Sequence, residues 1–229
     1  MLHVEVTDRW HQHFSGGHVG LLLIGTVDNA KRETPLDPKK REIELRLRET
    51  FASYSRKDLL ELEVLSAYRQ YYKQFGNTYH VQLQLESIVH KGKALPNVSP
   101  LVDANFAAEL ETLILTAGHD ADLLVSPLVI DAAQGTESFV QMSGAEKTLK
   151  PNDAMMSDVK GIVCTIIYGQ DQRTPISPST CRALYVAYAP PGIATAMVQQ
   201  QLDAIRDNVL LFAPNAQVEM MEIYSASDG

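Results

Sequence analysis

"NVSPLVDANFAAELETLILTAGHD", residues 97–120, is the stretch on which the reading of this chain turns. It has the apolar period of a helix, yet it carries two asparagines, two aspartates, two glutamates and a histidine. Ser99-Pro100 is a helix start, with serine as N-cap and proline in the first helical position, where its missing N–H costs nothing. Val102, Phe106, Leu110 and Leu113 then recur at helical spacing, and Gly118 reads as the stop. Asp103 is placed to favour the helix dipole and to bond an open backbone N–H group. Asn97, ahead of the start, is a turn former. Glu109 and Glu111 read as solvated. His119-Asp120 would sit at the corner where the helix gives way to a strand; there it serves either as a general base or ligand contact, or as a satisfied structural corner.

Upstream of this stretch, Leu2, Val4 and Val6 alternate as a short strand, and "GGHVGLLLIGTVDN" follows as a buried strand entered through a Gly-Gly turn. Helices are expected over "PLDPKKREIELRLRETFASYS", "SRKDLLELEVLSAYRQYYKQFG" and "TYHVQLQLESIVHKGK", the last closed by Gly92. Downstream, "LLVSPLVIDAAQG", "ESFVQMSG", "DAMMSDVKGIVCTIIYG" and "RALYVAYAPPG" are short strand-like runs cut by Gly, Pro and Asp. An amphipathic helix at "IATAMVQQQLDAIRDNVLLF" and a last strand at "AQVEMMEIYS" form a C-terminal extension from about residue 190 of a single domain. This order is α+β and not an alternating βαβ chain.

The 229 residues are 45% hydrophobic and 21% charged, enough for a sizeable core. No apolar run approaches membrane-span length, and with only Cys164 and Cys181 no disulfide framework is expected, so the reading is cytoplasmic. The net charge is −8, but residues 31–57 carry nine Lys/Arg against five acids. The remainder is −12, which disfavours unspecific nucleic-acid binding and leaves Lys39, Lys40 and Arg41 as the local candidates for a phosphate backbone. The alternative is a solvated helix face laced with ion pairs. His11, His13 and His18 could suggest a metal if His11-x-His13 lay on a strand, but no carboxylate or cysteine stands near, and no metal or cofactor is expected.

Taken in order, "YRQYYKQFG" (68–76), "KGKALPNVSPLVDANF" (91–106), "GHDADLL" (118–124), "DAAQGTE" (131–137), "LKPNDAMMSD" (149–158) and "GQDQRTPISPST" (169–180) form a pattern. It resembles the tRNA-editing domain of the phenylalanyl-tRNA synthetase beta subunit, its third and fourth structural modules, in stand-alone form. The resemblance implies a β-sandwich of unusual topology flanked by helices. It also implies a pocket that hydrolyses the ester of a mischarged aminoacyl-tRNA with a positioned water. The family histidine falls on Ala117, two positions before His119, and the glutamate that reads a tyrosine hydroxyl falls on Val186. The strand lining the acyl pocket matches "CTIIYG" (164–169), where Ile166 and Ile167 would take up side-chain space. The loop 169–175 offers Asp171 and Thr174, with Arg173 between them as a carboxylate or phosphate fork; its bland alternative is an Asx-type turn. The expected catalytic residues are therefore His119 and Asp171, with Asn97, Asp120, Tyr168, Arg173 and Thr174 as ligand contacts. The expected partner is a tRNA 3′ end or its aminoacyl group. The alternative is a non-catalytic pocket for a free amino acid or similar small carboxylate.

Overall fold

A computed structural model describes residues 2–30 and 34–226. The elements are β1 (Val4–Val6), α1 (Asp8–His13), β2 (His18–Gly25), α2 (Leu36–Thr50), α3 (Arg56–Leu59), α4 (Glu63–Gln74), α5 (His80–Lys91) and α6 (Pro100–Thr112). There follow β3 (Thr116–Asp120), β4 (Leu128–Ala132), β5 (Ser138–Val140), β6 (Glu146–Thr148), β7 (Ala154–Asp158), β8 (Gly161–Thr165), β9 (Gly169–Gln170), β10 (Ala183–Ala189), α7 (Thr195–Phe212) and β11 (Gln217–Ser225). One sheet runs β1-β4-β7-β8-β9 and a second runs β11-β2-β10-β3, with β5-β6 as a small ribbon. The architecture is the expected α+β arrangement of sheets flanked by helices.

The two strands buried along nearly their whole length, "HVGLLLIG" and "ALYVAYA", are neighbours at the centre of the second sheet, paired antiparallel from Ala183↔Ile24 to Ala189↔His18. Continuous apolar composition is what a strand covered on both faces requires. β2 also packs closely on α7: a Cβ at Gly20 would stand 2.6 Å from Val198 Cγ1, so a larger residue there would push the helix side chains aside. The C-terminal helix and strand are built into this core, since α7 lies on α6 and β11 pairs with β2 over its length.

Several local expectations are corrected. The run 55–76 is two helices, because Leu62 takes an extended conformation as the N-cap of α4. Helix α6 ends at Thr112, where Leu113 turns left-handed (φ 63°) and donates its N–H to Glu109 C=O. Gly118 is therefore no stop. It lies inside β3, where a Cβ would meet Ile176 Cδ1 at 2.9 Å and the Tyr185 ring at 3.3 Å. His119 and Asp120 belong to a strand and not to a corner. The segment "DRWHQH" is helical, with Thr7 Oγ1 accepting the Trp10 N–H as N-cap. His11 and His13, two residues apart on a helix, point to different faces.

Candidate functional site

The residues singled out in β3 and in the 169–175 loop do come together. Thr174 donates its hydroxyl to Asp171 Oδ1, and His119 Nδ1 meets Thr174 Oγ1 at 2.8 Å. With the hydroxyl hydrogen on Asp171, Thr174 Oγ1 is the acceptor, so His119 carries its proton on Nδ1. Asp171 also accepts the Thr174 N–H (3.1 Å), which closes the Asx-type turn. Arg173 sits 3.3 Å from Asp171 and grips the buried Asp158 with both terminal nitrogens, at 2.9 and 3.0 Å. Asp120 accepts the Asp122 N–H and the Thr180 hydroxyl.

This chain of contacts joins β3 of one sheet to the loop leaving β9 of the other. Within it His119 Nε2 is buried without a partner among the described residues. His119 is fully buried; desolvation, reinforced by the Arg173 charge, lowers its pKa to about 3, so it is neutral. Burial raises the Asp171 carboxyl as well. Arg173, expected to be an open anion fork, is committed to two protein carboxylates. None of His119, Asp120, Asp171, Arg173 and Thr174 lines the cavity between α5, α6 and β3, and neither does Tyr168, which packs against the small Ala133–Phe139–Leu149–Met155 cluster.

That cavity, of about 350 Å³, is bounded by α5, α6, β3 and β9, with Tyr185 and Tyr188 of β10 at its base. Its size is that of a small-metabolite pocket. Ala117 and Gly118 form one wall, and Gly169 and Gln170 part of another. The expected obstruction is absent: Ile166 is buried in the core, Ile167 packs against that core, and neither lines the space; nor does Val186, which stands where the family pattern has a glutamate.

Its polar groups come from the helix quoted first. Asn105 is 6% exposed and donates Nδ2–H to Thr116 C=O at 2.9 Å, which fixes the amide and leaves Oδ1 buried without a protein partner. One turn on, Glu109 is 2% exposed, not solvated as its charge suggested. Its Oε1 accepts the Thr116 N–H at 2.8 Å. Burial pushes its carboxyl up from 4.5 to about 8. Gln84 of α5 adds a second buried amide oxygen without a partner. Sequence reasoning missed this trio. The available signal was the spacing of Asn105, Glu109 and Thr112, a polar stripe along one face of an otherwise Ala/Leu-rich helix.

The cationic expectations divide. Lys40 is 3% exposed and donates to Pro96 C=O (2.8 Å), Asn97 Oδ1 and Asp103 Oδ2 (2.7 Å). It is an internal clasp of the α6 start and cannot meet a phosphate backbone, and Asn97 is its partner rather than a cavity contact. Asp103 also accepts the Val98 N–H, as an acid at a helix start should. Lys39 stands 3.8 Å from Glu111, and Arg41 is exposed; Lys31 and Arg32 lie outside the described residues. A different groove, about 320 Å³, gathers Arg56, Arg69 and Lys73 around the Gly76–Tyr79 loop, on the side of α5 away from Gln84. Arg56 is paired with Glu86 at 3.0 Å, whereas Arg69 and Lys73 are exposed one helical turn apart.

Among the described residues no group of three or more metal-ligating side chains converges, and no helix is long and apolar enough to cross a membrane. No curated protein matches the chain. Among solved structures, an N-terminal fragment of the phenylalanyl-tRNA synthetase beta-subunit from Pyrococcus horikoshii is similar at 11% identity with a TM-score of 0.47. The match covers 97% of this chain and 50% of that one, so the chain spans about half its length. The family model of the B3/4 domain matches residues 66–220, from α4 into β11, and this protein belongs to the B3/4 domain family, a domain of the phenylalanyl-tRNA synthetase beta-subunit type.

Proposed function

We propose that this B3/4 domain receives an amino-acid-sized group in the α5–α6–β3 cavity, presented on the 3′ end of a tRNA, and serves removal of that group from its ester. The observation that carries the reading is the cavity itself: small, largely apolar, and provided with a buried asparagine and glutamate that the fold leaves partly unpartnered. Ligand sites combine an apolar wall with a few placed polar groups in this way. The exposed pair Arg69 and Lys73 supports a phosphate contact on the neighbouring surface, in place of Lys40. His119 and Asp171 are not assigned to the attack on the ester, because neither lines the cavity: Asp171 and His119 Nδ1 bond Thr174, and His119 Nε2 is buried without a partner among the described residues.

The test is deacylation of a panel of mischarged aminoacyl-tRNAs by the protein and by Ala117→Phe, which fills the cavity from its wall. Turnover of at least one tRNA that Ala117→Phe abolishes is the expected result. If every charged tRNA stays intact under saturating protein, and none is bound, the reading fails.

A further inference from the structure

The cavity is asymmetric in its hydrogen-bonding chemistry. Asn105 Oδ1 and Gln84 Oε1 are acceptors, buried and without partners. Glu109 keeps Oε1 on the Thr116 N–H, and Oε2 has no hydrogen-bond partner among the described residues. No lysine or arginine lines the cavity among the described residues. His80, at the rim, is exposed at its surface, and desolvation of its ring by the surrounding protein lowers its pKa. Arg173, the one nearby guanidinium among the described residues, is occupied by Asp158 and Asp171.

From this asymmetry we propose that the cavity recognises the free ammonium of an aminoacyl group through Glu109, Asn105 and Gln84, and selects amino-acid esters and amides over free amino acids. The inference rests on the aminoacyl reading of the cavity and deepens it. An ammonium brings three N–H donors to three acceptor side chains and supplies the counter-charge a buried carboxylate needs. A free amino acid brings a carboxylate as well. In this cavity that carboxylate would find no cation and would be desolvated next to Glu109. An ester or amide carries the same ammonium and side chain with a neutral acyl end. The selection falls on the chemical difference between a charged tRNA and the free amino-acid pool.

Binding is then coupled to a proton. Below about pH 8 the Glu109 carboxyl holds its proton; when an ammonium enters, the O–H bond breaks, the proton leaves to solvent, and the carboxylate remains beside the cation. The other titratable groups around Glu109 are His80 of α5 and Tyr79 just before it, Tyr68 and Tyr72 of α4, and Tyr185 and Tyr188 of β10. Burial raises these tyrosines above their ordinary value of 10, so they stay neutral where Glu109 titrates, near pH 8.

The experiment is calorimetric titration of the full chain with L-phenylalaninamide, L-leucinamide and L-methioninamide. Each is compared with its free amino acid and its N-acetyl amide, at pH 7 in two buffers of different ionisation enthalpy. For at least one side chain the amide should bind about tenfold or more tighter than the acid, the size expected for one hydrogen bond to a charged group. Its N-acetyl form should not bind, and complex formation should release a proton. Glu109→Gln keeps an acceptor for the Thr116 N–H and should lose both the preference and the proton release. A free acid that binds as tightly as its amide overturns the inference while leaving an amino-acid pocket in place. An N-acetyl amide that binds equally well overturns it too, since the ammonium is then not read. Failure of every compound up to millimolar concentration overturns it as well, and the deacylation panel separately decides the aminoacyl reading.

Discussion

Glu109→Gln should change how stability depends on pH more than it changes stability at any one pH. In the unfolded chain this carboxyl ionises at its ordinary value of 4.5, and in the native protein only near 8. Between those values the native state holds one proton more than the unfolded state, so each pH unit removes roughly 1.4 kcal/mol of stability. The stabilising contribution is present below pH 4.5 and lost as pH climbs to 8. The full loss is about 4 to 5 kcal/mol, and water at the cavity mouth reduces it, so ~2 kcal/mol is a fair threshold. The glutamine side chain has nearly the same shape, keeps the hydrogen bond from Thr116 N–H and cannot ionise. Urea unfolding of both proteins at half-unit steps from pH 5 to 8.5 isolates the residue, because all other titrating groups cancel in the difference. The two should be close at pH 5, with the variant ahead by ~2 kcal/mol or more at pH 8.5. A difference that stays constant across the range would mean that Glu109 ionises normally, and the proton-coupled chemistry of the cavity would fall with it.

The network around β3 yields the opposite pH dependence. His119, held near 3 against an ordinary 6.5, binds its proton only on unfolding, so stability falls as pH drops from 6.5 towards 3; acid titration of His119→Asn followed by circular dichroism should show a flatter decline. Arg173→Met strands the buried Asp158 carboxylate and should cost about 3–5 kcal/mol in urea unfolding. Arg173→Lys should recover only part of this, since an ammonium cannot reproduce the paired contact. Lys40→Met should likewise cost about 3 kcal/mol or more by leaving Asp103 without its partner, while Arg41→Met should stay within ~0.5 kcal/mol; equal effects at the two positions would contradict the clasp. Gly20→Ala should destabilise by about 1–3 kcal/mol through the Val198 clash without altering ligand binding to the cavity.

What could be read from the sequence divides along physical lines. The buried strands β2 and β10 were legible because continuous Val, Leu, Ile and Tyr runs bounded by Gly and Pro have few other solutions. Helix α5 was legible because Gly92 supplies the left-handed residue that closes it. The end of α6 was not, because a leucine takes that conformation at residue 113 and the glycine one looks for lies inside a strand instead. At the site, the residue types of His119, Thr174, Asp171 and Arg173 are those of groups that meet, and they do. Those types, however, do not tell whether a polar cluster opens on a cavity or closes on itself. That depends on the packing of two sheets, and the loop 169–175 closes on itself by an Asx turn that satisfies the very groups that made it look reactive. Glu109 was misjudged because a glutamate in mid-helix is ordinarily at the surface, and its burial comes from β3, α4 and α5 closing around it.

Helix α6 carries polar side chains on faces that are nearly all buried, and their satisfaction differs in a telling way. Asp103 has Lys40 and the Val98 N–H; Thr112 donates its hydroxyl to Gln201 Oε1 at 2.6 Å, and Gln201 in turn donates Nε2–H to Thr116 Oγ1. These residues fix the helix against α2 and α7, and every strong group has a partner. Asn105 and Glu109, on the cavity side, are held from one direction only, by the backbone of Thr116. A fold needing nothing from this face would be more stable with leucine at residue 109, since a buried carboxyl with a single hydrogen bond is costly to keep. Half-satisfied polar groups that line an amino-acid-sized space are what a site looks like before its ligand arrives. The polar residues of this helix therefore divide: Asp103 and Thr112 hold the fold, as the sequence led one to expect, whereas Asn105 and Glu109 keep an oxygen unpartnered among the described residues on the cavity side.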